Sequence, residues 1–245
     1  MRYAIISDIH SNLAAFQAVL RDINGTGSID RIWCLGDIVG YGPDPKECIE
    51  LLRQYEHVCV AGNHDWGALE KIDLNDFNPE AAAACRWTGQ QLGPDEIDYL
   101  ANLPLTLQEG DFTLAHGSPR EPIWEYLLST YSARISFDYF QTKYCLVGHS
   151  HVPAVFEQLA DSEDCFLTEL SPDAPLILGG NRQIINPGGV GQPRDGDPRA
   201  AYAIYDSEHG VIQHHRVPYD IDATQQKMAE YGLPSRLITR LSYGW

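Results

Sequence analysis

The chain has 245 residues, of which 44% are apolar and 21% charged, a composition typical of a globular protein of one large or two small domains. Its formal net charge of −17 argues against non-specific nucleic-acid binding, since such a surface repels polyanions. No apolar run approaches the roughly 18 residues of a membrane span, and the first residues lack the apolar core of a secretory signal. We therefore expect a cytoplasmic protein without a membrane partner.

Alternating strand and helix patterns fill the N-terminal third. Apolar runs predict strands at residues 2–7, 31–35 and 57–61, and amphipathic stripes predict helices at 12–23 and 45–55. This order favours parallel pairing with right-handed crossovers.

The middle of the chain is less regular. A helix is predicted over 79–102, and a hairpin joins strands at 105–107 and 112–115. Residues 119–142 are turn-rich and aromatic, with six Trp, Tyr and Phe side chains that we expect to serve in the core or in a homo-oligomer contact, with stacking on a nucleobase as the alternative.

The rest of the chain predicts short strands followed by two short helices. The strands are predicted at 144–147, 154–158, 166–169, 176–178, 183–185, 202–205 and 211–216, and the helices at 222–231 and 235–241. No linker is apparent, so the fold class is α/β: one domain, 1–245, with two facing sheets and outer helices. The six cysteines have no C-x-x-C spacing and are expected to be buried, reduced thiols.

Five short polar motifs follow apolar runs. They are Asp8-Ile9-His10, Gly36-Asp37, Gly62-Asn63-His64-Asp65, His116-Gly117 and Gly148-His149-Ser150-His151. Together they supply two carboxylates, one amide oxygen and four imidazoles, with His64 left over. This is a set of ligands for two divalent ions plus one proton donor. The other four histidines lack such a context and are expected in the sheets or at the surface.

The placement of these motifs predicts one site. Ligands bind beyond the carboxyl ends of parallel strands, so the five motifs can converge there. On an extended segment, Asp8 and His10 would lie on one face and reach the same ion. Mixed carboxylate, imidazole and amide ligands suit manganese, iron, zinc, cobalt or nickel. Two such ions outweigh the charge of two carboxylates, which leaves positive charge for a hydroxide and a phosphate. If Asp37 bridges the ions, they lie about 3.5–4 Å apart and acidify a shared water.

In this order the motifs resemble those of the calcineurin-like metallophosphoesterase superfamily: D-x-H, GD, GNH followed by D or E, H, and GH-x-H. Residues 186–194, NPGGVGQPR, are similar to a segment of the small prokaryotic phosphodiesterase branch. The resemblance implies a double sheet sandwich with mixed sheets flanked by helices. It also implies a helical and aromatic insert around 66–142 over the active site.

The resemblance also implies roles for single residues. One metal ion would be held by Asp8, His10, Asp37 and His151, and the other by Asp37, Asn63, His116 and His149. His64 would lie beside the leaving-group oxygen as a catalytic residue, and with Asn63 would contact the substrate. A metal-bridging hydroxide would attack phosphorus directly, without a phospho-enzyme intermediate.

One segment departs from the motif of a subgroup of the family, and two residues each allow two interpretations. Residues 36–42 read GDIVGYG, without the Asp-Arg pair of the protein phosphatases, which argues against a protein Ser/Thr phosphatase. Arg194 either supplies a substrate-binding guanidinium or is a turn residue beside Pro193. Asp65 either orients the imidazole of His64 in catalysis or caps a helix.

The hypothesis from the sequence is a metal-dependent phosphoesterase acting on a small phosphodiester, such as a cyclic or unusual nucleotide. The alternative on the same site is a phosphomonoesterase or a dinucleoside polyphosphate hydrolase. A non-catalytic scaffold is disfavoured because His64 and all seven ligand residues are present.

Overall fold

The computed structural model describes residues 1–159 and 164–245. Twelve strands lie in these ranges: Arg2–Ile6 (β1), Arg31–Cys34 (β2), His57–Cys59 (β3), Thr106–Glu109 (β4), Phe112–Ala115 (β5), Tyr144–Leu146 (β6), Ala154–Gln158 (β7), Cys165–Thr168 (β8), Leu176–Ile177 (β9), Arg182–Asn186 (β10), Ala200–Asp206 (β11) and Val211–Val217 (β12). Eight α-helices accompany them in the same ranges: Leu13–Gly25 (α1), Pro45–Leu52 (α2), Asn63–Ala68 (α3), Pro79–Gln91 (α4), Pro94–Ala101 (α5), Thr130–Ser136 (α6), Ile221–Glu230 (α7) and Ser235–Arg240 (α8).

The strands form two mixed sheets of six strands each. Their orders are β3-β2-β1-β11-β12-β9 and β4-β5-β6-β10-β7-β8. In the first sheet β1, β2 and β3 run parallel, as the sequence predicts, and β11 joins β1 in antiparallel register. In the second sheet β6 pairs in parallel with both β5 and β10. The predicted sandwich of two facing mixed sheets in a single domain is confirmed.

Apolar side chains from both sheets fill the space between them. Ile5 and Trp33 of the first sheet belong to the same buried cluster as Phe112 and Leu114 of the second. The rings of Trp33 and Phe112 lie 5.2 Å apart, so the two sheets are in direct contact. Helices α1 and α2 cover the outer face of the first sheet, and α6 covers that of the second. This packing fixes the ends of the strands, where the polar motifs lie.

The predicted helix over 79–102 is wrong in one respect, because it is two helices. Leu92 and Gly93 are extended, with ψ of 138° and 176°, and α5 begins at Pro94. Proline has no N–H to donate to the preceding turn, and it forces the residue before it out of the helical region. The Gly93-Pro94 pair is therefore the signal that separates α4 from α5.

Two short helices were absent from the sequence prediction. Helix α3 spans Asn63–Ala68, and α6 spans Thr130–Ser136 inside the stretch that we predicted as turns. Each is too short for the repeating apolar pattern by which helices are predicted. Within 66–142, strands β4 and β5 belong to the second sheet itself, so only the residues before and after them are available to cover a site.

The cysteines are free thiols, as the sequence predicts. All six cysteines are unpaired, five are buried, and Cys165 is partly exposed. None of the helices that the structure describes is both long and apolar enough to cross a bilayer.

Candidate active site

The five motifs meet at the carboxyl ends of parallel strands from both sheets. Asp8 follows β1, Asp37 follows β2, and His116 follows β5. Asn63 lies after β3 at the start of α3, and the two histidines of the last motif follow β6. All seven predicted ligand residues are at most 3% exposed. The sandwich therefore buries a cluster of polar side chains that are distant in sequence.

Most of these residues have a left-handed backbone. The φ angles are 55° at Asp8, 50° at His10, 52° at Asp37, 62° at His149 and 59° at His151. Asp and His tolerate this region better than most residues, and isolated cases concentrate at functional sites. The expectation that Asp8 and His10 lie on an extended segment is therefore wrong. Tight left-handed turns bring their side chains together instead.

Each of the two carboxylates has one oxygen held by hydrogen bonds and one oxygen without a partner. Oδ2 of Asp8 accepts from Ser7 Oγ at 2.6 Å and from the N–H of His149 at 3.1 Å. Oδ1 of Asp37 accepts from the N–H of His64 at 2.8 Å. Asp8 Oδ1 and Asp37 Oδ2 are buried without a hydrogen bond in the described chain. Such oxygens are costly to bury unless a cation binds them.

Three imidazoles are oriented by backbone carbonyls. Nδ1 of His10 lies 3.1 Å from the carbonyl oxygen of Val39, and Nδ1 of His116 lies 2.8 Å from that of Leu35. Nδ1 of His151 contacts the carbonyl oxygen of Gln192 in the same way. A carbonyl only accepts, so the ring proton is on Nδ1 and each Nε2 presents a lone pair. This arrangement is typical of histidines that bind metal ions.

The first group of ligand atoms surrounds His151. Its Nε2 lies 3.1 Å from His10 Nε2 and 3.2 Å from Asp8 Oδ1. His10 Nε2 is also 3.5 Å from Asp37 Oδ2. Ligand atoms bound to one tetrahedral ion at about 2.1 Å are separated by roughly 3.4 Å, so these spacings fit a metal site. Two nitrogens with facing lone pairs repel each other unless a cation lies between them.

The second group surrounds His116. Its Nε2 lies 3.1 Å from Asn63 Oδ1, 3.1 Å from His149 Nδ1 and 3.3 Å from Asp37 Oδ2. Asp37 Oδ2 therefore faces both groups, which is the position of a bridging oxygen. His, Asp and Asn donors with unpaired buried atoms fit divalent ions. The two groups bring together the side chains of the two implied ligand sets, and metal binding by them stays a prediction.

The electrostatics of the site favour neutral ligands and attract positive charge. Burial lowers the pKa of His10, His149 and His151, so these rings are neutral near pH 7, as metal ligands must be. Burial also disfavours a charged His116, but the adjacent Asp37 carboxylate raises the pKa of that ring to about 9, so His116 holds a proton that a bound metal ion would displace. The carboxylates thus draw a cation to the centre of the cluster.

His64 lies at the edge of the cluster rather than in one of the two groups. Its ring is 4.8 Å from that of His10 and 5.1 Å from that of Phe77, edge to face in both cases. Nδ1 lies 3.3 Å from Cys85 Sγ. Burial lowers the pKa of His64 to about 4. The ring is close enough to Asp37 and His10 to form a third set of potential ligand atoms with them.

Asp65 makes the contacts of a helix cap. Its carboxylate accepts three backbone N–H groups, from Gly62 at 3.0 Å, Asp37 at 2.8 Å and Val39 at 3.2 Å. It thereby ties the start of α3 to the loop that carries Asp37. The described hydrogen bonds include none between Asp65 and the ring of His64.

Three aromatic and polar residues of the site were not identified from the sequence. Tyr41 has a φ of 57°, and its ring lies 4.2 Å from His64 and 4.5 Å from His10. The ring of Tyr126 stacks on His149 at 3.8 Å. Ser7, described above, holds Asp8. Tyr41 lies in the loop that carries Asp37, but no residue-type signal marks it, since tyrosine is not a common ligand of the expected metals.

The segment 186–194 is bound to the end of β1. Val190 donates its N–H to the Ser7 carbonyl at 2.9 Å, and Gly191 donates to that of Asp8 at 2.8 Å. Arg194 then extends beside the site, where its guanidinium lies 5.7 Å from the ring centre of Tyr41 and donates to Gln192 Oε1 at 3.0 Å. Its side chain therefore faces the cluster region, beyond the turn.

The fold places a candidate site for divalent metal ions at the strand ends, and comparison with known sequences gives the family. Residues 1–210 match the calcineurin-like phosphoesterase superfamily domain. The chain belongs to this family, whose members are hydrolases acting on phosphoester bonds and generally hold two divalent metal ions.

Two similar proteins cover nearly the whole chain, and a third matches about a third of it. A metallophosphoesterase of Sphaerobacter thermophilus, known from its crystal structure, is 46% identical with a TM-score of 0.90, covering 100% of this chain and 99% of that one. An uncharacterized protein of Methanocaldococcus jannaschii is 42% identical over 98% of this chain and 97% of its own length. The symmetrical bis(5'-nucleosyl)-tetraphosphatase of Pseudomonas putida is 29% identical over 100 residues, 35% of each protein.

Proposed function

We propose that the chain is a phosphodiesterase that uses two divalent metal ions to hydrolyse a small phosphodiester, such as a cyclic or unusual nucleotide. One observation carries this proposal: two groups of buried potential ligand atoms, spaced as the ligands of a metal ion are, share Asp37 Oδ2. Manganese, iron, zinc, cobalt and nickel all suit this donor set. When bound, two such ions supply a hydroxide nucleophile at neutral pH and neutralise charge on the phosphate.

The proposal assigns metal binding and substrate binding to different residues. Asp8, His10 and His151 would hold one ion, Asn63, His116 and His149 would hold the other, and Asp37 would contribute to both sites. Asn63 and His64 contact the substrate from the start of α3, and Arg194 offers a guanidinium to a phosphate oxygen.

His64 is proposed as the group that protonates the leaving oxygen or stabilises its charge, and its lowered pKa favours charge stabilisation by the N–H of the neutral ring at pH 7. It lies next to Asn63 in sequence and within ring contact of His10, and Tyr41 and Phe77 hold its orientation. A positioned general acid contributes about 10²–10⁴ in rate. Asp65 supports this arrangement by fixing the start of α3, which is a positioning role rather than contact with the reacting atoms.

The alternative activity on the same site is that of a phosphomonoesterase or a dinucleoside polyphosphate hydrolase. The partial similarity to a bis(5'-nucleosyl)-tetraphosphatase favours the second of these. A scaffold without activity is disfavoured because every ligand residue and His64 are buried in one cluster. We further propose a cytoplasmic location, in keeping with six unpaired cysteines.

The decisive experiment is a turnover assay with added manganese, and in parallel with the other four metals, on bis-p-nitrophenyl phosphate and p-nitrophenyl phosphate. We expect faster turnover of the diester and a loss of at least 100-fold in kcat for His64→Ala. His209→Ala, an exposed histidine outside the site, is the matched control. Faster turnover of the monoester would indicate a phosphatase, and no turnover with any metal would refute the proposal.

A further inference from the structure

A cavity of about 700 Å³ adjoins the metal-ligand cluster, and apart from Arg194 the residues that line it have no assigned role. Tyr41 and Tyr126 form the wall that the cavity shares with the cluster, because their rings pack on His64 and His149. The opposite wall is formed by α8 and the residues after it, 235–245. A group bound at the metal site would therefore extend into this space.

Helix α8 is held over the site by its apolar face. Leu237 and Leu241 are buried in one cluster with Tyr41, together with side chains of α4 and α7. Arg236 and Arg240, four residues apart, lie on a neighbouring face of the helix, and both line the cavity. The packing of the leucines thus directs two arginines toward the same space.

The cavity is positively charged although the chain as a whole carries −17. It contains Arg194, Arg236 and Arg240 and one acidic side chain, Glu80, which lies 3.9 Å from Arg236. In the described part of the chain, neither Arg194 nor Arg240 has an Asp or Glu carboxylate within 4.0 Å, and Arg240 Nε donates to the Trp245 oxygen. Burial and the charge of Arg194 lower the pKa of Arg240 to about 10, so it remains charged at neutral pH. Apart from the contact of Arg240 with Trp245, no acidic side chain neutralises these two partly buried guanidinium groups, which favours an anion beside them.

Aromatic rings complete the cavity wall. Tyr243 and Trp245 stack on each other at 4.9 Å, yet they remain 52% and 64% exposed. Exposed rings beside a group of three arginines are suited to bind a nucleobase next to its phosphates.

We propose that this cavity is a second subsite, which binds a nucleotide portion of the substrate with at least one phosphate beyond the phosphate that is cleaved. This inference rests on the proposed function for the reaction itself, and it narrows the substrate class to nucleotides with a further phosphate group. Arg240 and Arg236 hold the additional phosphate, and Trp245 stacks on the base.

Calorimetric titration of the full chain with ADP tests the subsite independently of turnover. Arg240→Gln is expected to weaken ADP binding at least tenfold, because it removes a charge-assisted hydrogen bond to phosphate. A tenfold change in the dissociation constant corresponds to about 1.4 kcal/mol, less than such a bond typically contributes. Arg53→Gln is the matched control, since Arg53 lies over Tyr99 in a different part of the surface. An unchanged dissociation constant in Arg240→Gln would overturn the proposal.

Two further measurements keep the result interpretable. Arg236→Gln, whose side chain is 82% exposed, is expected to weaken ADP binding severalfold without altering the thermal unfolding midpoint, and it serves if Arg240→Gln does not fold. In turnover assays, Arg240→Gln should lower kcat/KM about tenfold or more for diadenosine tetraphosphate and less than twofold for bis-p-nitrophenyl phosphate. Equal losses on both substrates would refute the subsite. If no ester is hydrolysed, the proposed function fails while the titration still decides the subsite.

Discussion

At the residue scale, the site depends on each side chain having one atom fixed and one atom free. Asp37 shows this most clearly, because Oδ1 is held by the His64 N–H while Oδ2 faces both ligand groups. Asp8 is arranged in the same way, with Oδ2 held and Oδ1 unpaired. These hydrogen bonds fix the orientation of both carboxylates, so less conformational freedom would be lost if they bind metal ions.

Asp37→Asn should disturb both metal ions, because it removes the charge that faces the two groups. We expect the metal content, measured by mass spectrometry, to fall from about two ions per chain toward one or fewer, and activity to fall more than 100-fold. Asp30→Asn is the control. Asp30 is exposed, and in the described chain its carboxylate accepts one backbone N–H, that of Arg2, as Asp37 Oδ1 accepts that of His64. Full metal content in Asp37→Asn would contradict the bridging role.

His214 makes the stability of the fold depend on pH. The ring is buried, its Nε2 lies 3.1 Å from the Pro187 carbonyl, and burial lowers its pKa to about 4 from an ordinary 6.5. Below pH 6.5 the unfolded chain binds a proton that the folded chain excludes, so stability is lost as the pH falls from 6.5 toward 4. At pH 5 this loss amounts to about 2 kcal/mol.

Chemical unfolding of the wild type and His214→Gln at pH 7 and pH 5 measures this contribution. The variant should lose less stability between the two pH values than the wild type does. His209→Gln provides a contrast of opposite sign, because Asp206 raises the pKa of the exposed His209 and its small contribution is present at low pH. Identical pH dependence in His214→Gln and the wild type would exclude His214 as the cause.

At the element scale, short helices and loops position the ligands more than long elements do. Helix α3 has six residues, yet it carries Asn63 and His64 and is tied to the Asp37 loop through Asp65. No periodic pattern predicts a helix of this length, because two turns hold too few apolar positions to define a face. Its GNHD motif was recognised by residue type alone.

Asp65→Ala should destabilise the fold and loosen the metal site together. It leaves three buried backbone N–H groups without an acceptor, and we expect the free energy of unfolding to fall by about 3 kcal/mol. Asp73→Ala is the matched control, since Asp73 is exposed and accepts a single N–H, from Asn75, at a cost of about 1 kcal/mol. A loss of kcat in Asp65→Ala with unchanged stability and metal content would instead favour direct catalysis by Asp65.

At the scale of the whole molecule, the two sheets bring together motifs that lie more than 140 residues apart in sequence, as in the contact between Asp8 and His149. The first sheet supplies Asp8 and Asp37, and the second supplies His116 and His149. The site therefore forms only when the sheets pack face to face through their shared apolar layer.

A homo-oligomer through the aromatic stretch remains a prediction. Leu128, Tyr131 and Tyr139 in that stretch are 61%, 69% and 56% exposed. Light scattering should give twice the chain mass of 27.4 kDa, and Leu128→Glu should shift the mass toward that of one chain. Ile177→Glu, on β9 outside the stretch, is the control at an equally exposed apolar residue. A monomer in the wild type would remove the prediction.

The sequence by itself determined the class of fold, the ligand types and the family, because strand ends, residue chemistry and motif order are local properties. Tertiary structure decided what those properties leave open. The left-handed backbone at Asp8 and His10 follows from packing between loops, and the position of Tyr41 follows from its contacts with α4, α7 and α8. The cavity beside the site forms where α8 faces loops of the second sheet. No sequence pattern in α8 or in these loops predicts that they meet, because they come together only when the sandwich has formed.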